Sequence, residues 1–139
     1  MTCVFCKIAR GEAPSRTVYE TDDVVAFLDA NPLATGHALV IPKEHHELLT
    51  EMPEPLAESV MEGLYRVTAA AEAAVDAEGT TVAFNNGRAA GQEVGHVHGH
   101  VIPRWSDDGG GPIHAIAGHP PDLSDDELDD VAARIAERL

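Results

Sequence analysis

Apolar residues recur along this chain with two different periods, and each period predicts a different kind of element. Between residues 55 and 77 they return every three or four positions, which predicts an amphipathic helix that ends at Gly79. Residues 4–9 predict a shorter helix, and Ser124 with Glu127 forms a capping box that predicts a C-terminal helix. The apolar positions are Leu56, Val60, Leu64, Val67, Ala71 and Ala74 in the long helix, and Leu128, Val131, Ile135 and Leu139 in the last one. We expect the last helix to pack on the sheet or on a partner subunit.

Short apolar runs between turn-forming residues predict the β-strands. The predicted strands cover residues 17–20, 24–29, 37–41, 80–84 and 96–102. Thr21-Asp22-Asp23 has the composition of a hairpin turn, and Pro103 is expected to end the last strand. Three glycines between residues 85 and 95 allow backbone N–H groups of that loop to turn toward an anion.

The last predicted strand carries three histidines at a spacing of two, His96, His98 and His100. Alternate residues of a strand lie on one face, so the three imidazoles are predicted to point the same way, roughly 6 to 7 Å apart. The opposite face carries Val97, Gly99 and Val101. That face is expected to pack against the long helix.

Three hypotheses explain this histidine row. It is a half-solvated structural face, a metal site with an open position for water, or a nucleophile with neighbours that position it and carry protons. Three histidines in register disfavour the structural explanation. The strand alone does not separate a metal site from a nucleophile.

Length and charge limit the classes of partner. The 139 residues are typical of one domain, here predicted over residues 1–139. The formal net charge of −15, from 24 acidic and 9 basic residues, opposes binding to a phosphate backbone, so we expect no nucleic acid partner. No apolar stretch approaches the roughly 18 residues of a membrane span, and no secretory signal is recognisable. We therefore expect a cytoplasmic protein without membrane contact that acts on a small substrate.

The acidic composition also suggests a working environment. The basic residues include only two lysines, Lys7 and Lys43, whereas Asp and Glu occur in every surface-like segment. High salt screens the self-repulsion of such a surface, and its carboxylates hold hydration. We interpret the composition as an adaptation to high salt, with an ordinary acidic protein as the alternative.

Cys3 and Cys6 are the two cysteines of the chain and form a C-x-x-C motif. In an intracellular protein this motif is a metal half-site, a redox pair or a chance occurrence. A thioredoxin-type pair is expected at a strand-to-helix junction, whereas this one lies at the N-terminal end of the chain. The position favours a metal half-site.

Several motifs together resemble the histidine triad (HIT) family of nucleotide hydrolases and transferases. They are CVFCKIARGEAP near the start, FLDANPLATGHALVIPKEH at positions 27–45, and FNNGRAAGQEVG followed by HVHGHVIPR at positions 84–104. The resemblance covers residues 1 to about 105, which we take as the core, with a tail and helix over 106–139. It implies an α+β homodimer with an antiparallel sheet of about five strands.

The resemblance also implies site residues for a purine nucleotide substrate. His98 would become covalently nucleotidylated, and His100 would stabilise the charge on the phosphate. Asp29 would accept hydrogen bonds from the ribose hydroxyls, as a carboxylate can from vicinal hydroxyls. The remaining substrate-binding residues are Phe5, Ile8 and Phe27 around the base, and Asn85, Gln92 and Glu93 near the phosphates or leaving group. His37 matches a family histidine near the triad.

Two positions depart from the family pattern. Glu93 stands where many relatives have Ser or Thr, and Gly99 stands where they have a bulky apolar residue, which weakens packing of the far face.

Relatives with C-x-x-C bind a structural zinc ion with two further histidines. The zinc ligands here would be Cys3, Cys6, His45 and His96.

Nucleophilic catalysis by His98 needs no catalytic metal, because imidazoles and backbone amides would stabilise the phosphate charge. Two alternatives remain at this point. One is a metal-dependent hydrolase with the three triad histidines as ligands, and the other is a nucleotide-binding sensor or scaffold with incidental turnover.

Overall fold

The computed structural model describes residues 2–116 and 118–139. Within them the elements are α1 (Val4–Ala9), β1 (Thr17–Glu20), β2 (Val24–Leu28), β3 (Ala38–Pro42), α2 (Glu54–Val75), β4 (Gly79–Phe84), β5 (Gly99–Arg104) and α3 (Asp125–Ala136). The strands form one sheet in the order β1-β2-β3-β5-β4, and each neighbouring pair is antiparallel. The predicted α+β fold with a five-stranded antiparallel sheet is confirmed.

The prediction for the histidine strand was wrong at both ends. Strand β5 begins at Gly99 instead of His96, because a backbone bond from the Val97 N–H to the His46 carbonyl (2.8 Å) holds the preceding residues to a loop. Pro103 lies within β5 instead of ending it. The pairing of β3 with β5 extends only to Val101, so Pro103 pairs with β4 alone and its missing N–H is tolerated.

The end of the long helix also differs from the prediction. Asp76 adopts a left-handed conformation (φ 52°) and closes α2, whereas Gly79 is the first residue of β4. Asp accepts this conformation more readily than most residues. The indole Nε1–H of Trp105 donates to the Asp76 carbonyl (3.0 Å), which fixes the turn from outside the helix.

Helix α2 packs against one face of the sheet and forms the larger core cluster. Val24, Ala26, Val40 and Val101 from the strands meet Val60, Leu64 and Val67 from α2, and Val97 also lies in this cluster. Gly63 brings the helix close to the sheet, since a Cβ added there would lie 3.0 Å from Val40.

Gly99 makes room for α2 and for Phe84 of β4. A Cβ added at Gly99 would lie 2.8 Å from Cδ2 of Leu64 and 2.9 Å from Cζ of Phe84. Those two side chains fill the space that a larger residue would take at position 99, and the weaker packing of this face stays a prediction.

The other face of the sheet carries a smaller apolar cluster and the candidate site. Phe5 of α1 packs there with Val25, Phe27, Leu39 and Ile41. His100 is paired with Leu39 across β3 and β5, so its side chain shares this face. The long helix therefore lies on the side of the sheet away from the site, as expected.

Contacts divide the chain into two compact units, one ending at Gly109 and the other spanning Gly110–Leu139. In the second unit, α3 begins at a capping box formed by Ser124 and Glu127, as predicted. Its apolar stripe is exposed, so packing on the sheet or on a partner subunit stays a prediction. None of the helices in the described part of the chain has the length and apolar character that crossing a membrane requires.

Candidate functional site

A cavity of about 670 Å³, here called the main cavity, lies on the sheet face opposite α2. One part of its lining is apolar and the other carries titratable and amide side chains. Among the residues predicted from the sequence, the lining includes Phe5, Ile8, Phe27, Asp29, Asn85, Glu93, His98 and His100. The fold thus brings together residues that are up to 95 positions apart in the chain.

The predicted base-binding residues form the apolar part of the main cavity. The rings of Phe5 and Phe27 meet edge to face, with centroids 5.6 Å apart. Asp29 follows β2, and its Oδ1 accepts the Asn31 backbone N–H (2.9 Å), which fixes the direction of the carboxylate. An apolar slot beside one oriented carboxylate is suited to a planar ring attached to a polyhydroxylated group.

Gln92 lies outside the lining of the main cavity. Its side-chain oxygen accepts the Gly87 N–H (2.7 Å), and its side-chain nitrogen donates to the carbonyls of Glu47 (2.8 Å) and Val94 (3.0 Å). These bonds hold the glycine-containing loop in shape. The sequence pattern placed Gln92 in the correct loop but could not give the direction of its side chain.

His98 is oriented by the backbone of the residue two positions before it. Its Nδ1–H donates to the carbonyl of His96 (2.7 Å). A carbonyl only accepts hydrogen bonds, so a neutral His98 carries its proton on Nδ1 and has a free lone pair on Nε2. The rings of Phe5 and His100 lie against it, with centroids 5.2 and 5.0 Å away. His98 therefore has the tautomer and the fixed orientation of a nucleophile.

His37 forms a second hydrogen-bonded unit with His100. The backbone N–H of Leu33 donates to Nδ1 of His37 (3.0 Å), and Nε2 of His37 lies 3.0 Å from Nδ1 of His100. The sequence analysis gave His37 no role of its own. Two signals could have shown this contact: its match to a family histidine near the triad, and its position immediately before β3.

Burial favours the neutral form of both His37 and His100. Burial lowers the pKa of His37, although Asp29 opposes the shift. Burial, with smaller contributions from His98 and His37, lowers the pKa of His100 to about 4. Nε2 of His100 is buried and has no hydrogen-bond partner among the described residues. A buried polar atom without a partner costs about 1–3 kcal/mol, so a ligand group that hydrogen-bonds to this nitrogen would offset part of that cost.

The two cysteines meet His45 and His96 at a cluster beside the main cavity, here called the cysteine–histidine cluster. Nδ1 of His96 lies 3.4 Å from the sulfur of Cys3 and 3.5 Å from that of Cys6. Nδ1 of His45 lies 3.2 Å from the Cys6 sulfur and 3.2 Å from Nδ1 of His96. Around a tetrahedral zinc ion with ordinary bond lengths these ligand atoms would be about 3.3 to 3.8 Å apart, so the donors have the spacing of a zinc site.

His96 is prepared for metal binding by its other ring nitrogen. Its side chain is fully buried, and Nε2 donates to the Pro42 carbonyl (2.8 Å), which leaves a lone pair on Nδ1 facing the cysteines. Burial, and next the Cys3 thiol, raises the pKa of Cys6, so the uncharged thiol is favoured without a cation. A bound cation would reverse this preference, because thiolates are the metal ligands.

The triad histidines do not converge on one metal ion. Both ring nitrogens of His96 are engaged away from His98 and His100, in the cysteine–histidine cluster and at Pro42. A second group of possible ligands, formed by Asp29, His37 and His100, has its donor atoms within 4.8 Å of one another. The Leu33 N–H occupies Nδ1 of His37, so Nε2 carries the proton and is not free to bind a cation. The geometry favours a hydrogen-bonded pair there.

Comparisons with known proteins agree with this architecture. Residues 10–107 match the family model described as the HIT domain. A crystal structure of a HIT family protein from Bacillus subtilis is 38% identical, with a TM-score of 0.89 and coverage of 100% of this chain and 98% of that one. A zinc-bound histidine triad family protein from Mycobacterium smegmatis is 32% identical, with a TM-score of 0.75 and coverage of 100% and 99%.

A relative of named activity is also similar. The adenosine 5'-monophosphoramidase of Schizosaccharomyces pombe is 41% identical over 110 residues, which are 79% of this chain and 80% of that protein. The family model alone matches well over half of the chain. The protein therefore belongs to the HIT domain family.

Proposed function

We propose that this protein is a nucleotide hydrolase that acts at the α-phosphorus of purine nucleoside phosphoramidates or dinucleoside polyphosphates. The observation that supports this most directly is the 2.7 Å bond from Nδ1 of His98 to the His96 carbonyl, which frees Nε2 in the main cavity. The similarity to an adenosine 5'-monophosphoramidase supports a nucleotide as the substrate.

In the proposed complex the base lies in the apolar part of the main cavity and the phosphate lies beside the triad. Phe5, Ile8 and Phe27 contact the base, and Asp29 accepts from the ribose hydroxyls. Asn85 and Glu93 line the side where the phosphate and leaving group would lie. Gln92 would act indirectly, by holding the loop that carries Glu93.

The reaction proceeds in two displacements at phosphorus. Nε2 of His98 attacks the α-phosphorus, the bond to the leaving group breaks, and the nucleotide is joined to His98. The leaving group departs with a proton taken from solvent in the main cavity. The N–H of His100 stabilises the charge that develops on the phosphoryl oxygens. Water then attacks the same phosphorus, releases the nucleoside monophosphate with a proton and restores His98.

The cysteine–histidine cluster is proposed to hold a structural zinc ion through Cys3, Cys6, His45 and His96. When bound, the ion would crosslink α1, through the two cysteines, to His45 and His96, as a structural zinc does. Cys3 and Cys6 flank Phe5 in sequence, and His96 supplies the carbonyl that orients His98. The crosslink would therefore hold both the base pocket and the nucleophile.

The test is to trap the covalent intermediate. The enzyme is mixed with adenosine phosphoramidate, quenched within the first turnover and examined by intact and peptide mass spectrometry, with metal content measured on the same sample. We expect one adenylyl group on His98. A quenched enzyme without any adduct during active turnover would contradict the covalent route. A panel with diadenosine polyphosphates and nucleotide sugars assigns the leaving group.

We also propose, from the family resemblance, that the protein is a homodimer. Light scattering on the purified protein tests this, and a monomer across the micromolar range would contradict it.

A further inference from the structure

Two groups behind His100, the Leu33 amide and His37, form with it a chain of hydrogen bonds with a fixed direction. At one end the amide of Leu33 donates to Nδ1 of His37. An amide N–H does not accept a hydrogen bond and does not release its proton at ordinary pH, so it determines the tautomer of His37. Neutral His37 must carry its proton on Nε2.

The fixed tautomer of His37 in turn determines that of His100. The Nε2–H of His37 points at Nδ1 of His100 across 3.0 Å, so Nδ1 of His100 accepts. Neutral His100 therefore carries its own proton on Nε2, the buried atom that lacks a partner among the residues described here. Asp29 does not compete strongly for the His37 proton, because its Oδ2 is 3.7 Å away.

The same chain limits the chemistry of His100. A His100 that gave away its Nε2 proton would become an anion, since Nδ1 receives only a hydrogen bond from His37. If His37 transferred its Nε2 proton to His100, His37 would become the anion instead, because the Leu33 amide cannot supply a proton to His37. The charged groups and histidines facing His100 are Asp29, His37 and His98, and burial opposes a doubly protonated ring.

We propose that His37 is a positioning residue. Anchored by the Leu33 amide, it holds His100 as a permanent Nε2–H donor to the phosphoryl group. His100 therefore does not protonate the leaving group. This inference rests on the proposed hydrolase function of the same site. The proton for the leaving group then comes from the solvent-facing side of the main cavity.

The first test is a measurement of the tautomer that needs no turnover. Long-range ¹H–¹⁵N correlation spectra of the ¹⁵N-histidine protein report which ring nitrogen is protonated. We expect His100 in the wild-type protein to be a single Nε2–H tautomer between pH 6 and 8. In the His37→Ala variant we expect His100 to be a mixture of tautomers. In His37→Gln we expect the single Nε2–H tautomer to return, because the glutamine amide N–H can replace the Nε2–H of His37. A wild-type His100 protonated on Nδ1 would overturn the proposal.

The second test separates a hydrogen-bond donor from an acid. Rates are measured for adenosine phosphoramidates with amine leaving groups of graded basicity, using wild-type, His37→Ala and His37→Gln enzymes, with His114→Ala as an exposed control. We expect His37→Ala to lower kcat by about 10- to 100-fold with little change in KM, equally for every leaving group. His37→Gln should recover most of the rate. A steeper dependence on leaving-group basicity in His37→Ala would show that His100 is the acid and would overturn the proposal.

These tests also separate this inference from the proposed function. If the wild-type enzyme formed no adduct on His98, the covalent hydrolase proposal would fail. The tautomer measurement would still determine which ring nitrogen of His100 is protonated. If His37→Ala did not fold, the wild-type spectra and the His37→Gln variant would still give the result.

Discussion

The backbone carbonyl of His96 lies 2.7 Å from Nδ1 of His98, while the ring of His96 faces the two cysteines. His96 thus belongs to the cysteine–histidine cluster through its side chain, and its backbone orients His98, a residue that lines the main cavity. The orientation of His98, the proposed nucleophile, is therefore coupled to the cluster without any further contact.

Replacement of His98 should remove the nucleophile and leave the fold intact. We expect His98→Ala to lower release of AMP from adenosine phosphoramidate by at least about 1,000-fold. The matched control is His114→Ala, an exposed histidine of the same chain that should retain wild-type activity. Circular dichroism checks the fold of both variants. Substantial turnover by a well-folded His98→Ala protein would exclude the covalent mechanism.

Removal of metal should lower both stability and nucleotide affinity. A ligand that binds only the native state stabilises it, and α1 holds Phe5 in the base pocket between two of the proposed ligands. We expect chelation, or a Cys3→Ser/Cys6→Ser variant, to reduce the melting temperature and to weaken AMP binding. Thermal unfolding and calorimetric titration measure the two effects. An unchanged melting temperature after verified metal removal would argue against a structural ion.

Acid should destabilise the protein through His100. Burial holds its pKa at about 4 in the folded state, below the ordinary value of 6.5, so the unfolded chain binds a proton first as pH falls. The neutral ring contributes fully to the free energy of unfolding above about pH 6.5. This contribution, on the order of 3 kcal/mol, is lost as pH falls from about 6.5 to about 4. Denaturant unfolding of wild type and His100→Asn across this range checks the prediction. The difference in unfolding free energy between the two proteins should change with pH.

Packing at Gly99 should be sensitive to a single methyl group. A Cβ there would lie under 3.0 Å from both Leu64 and Phe84, so we expect Gly99→Ala to reduce the unfolding free energy by about 1–3 kcal/mol. Gly79 provides the control, since a Cβ added at that position meets no atom within 4 Å. Equal stability of Gly99→Ala and Gly79→Ala would contradict the described packing.

Salt should stabilise this acidic chain. With a formal net charge of −15, self-repulsion at low ionic strength opposes the compact state. We expect the unfolding free energy to be higher in multimolar KCl than at about 0.1 M. Equal values in the two conditions would remove the case for an adaptation to high salt.

The regular elements were predictable because their signals are local. The spacing of apolar residues gave α2 and the core-facing strands, and Ser124 with Glu127 gave the start of α3. The directions of site side chains were not predictable, because distant backbone atoms set them. The ring of His96 is turned by the Pro42 carbonyl, 54 positions away, and Gln92 by the Glu47 carbonyl.

Helix α1 has six residues, too few to be stable in isolation. Its attachment through Cys3 and Cys6 to the proposed zinc ion would therefore determine how long one wall of the proposed base pocket stays formed. Thermodynamic reciprocity then applies: whatever factor the ion adds to nucleotide affinity, a bound nucleotide must add to the affinity for the ion. If the proposed zinc ion and nucleotide both bind, a cell rich in that nucleotide would keep this protein metallated when zinc is scarce.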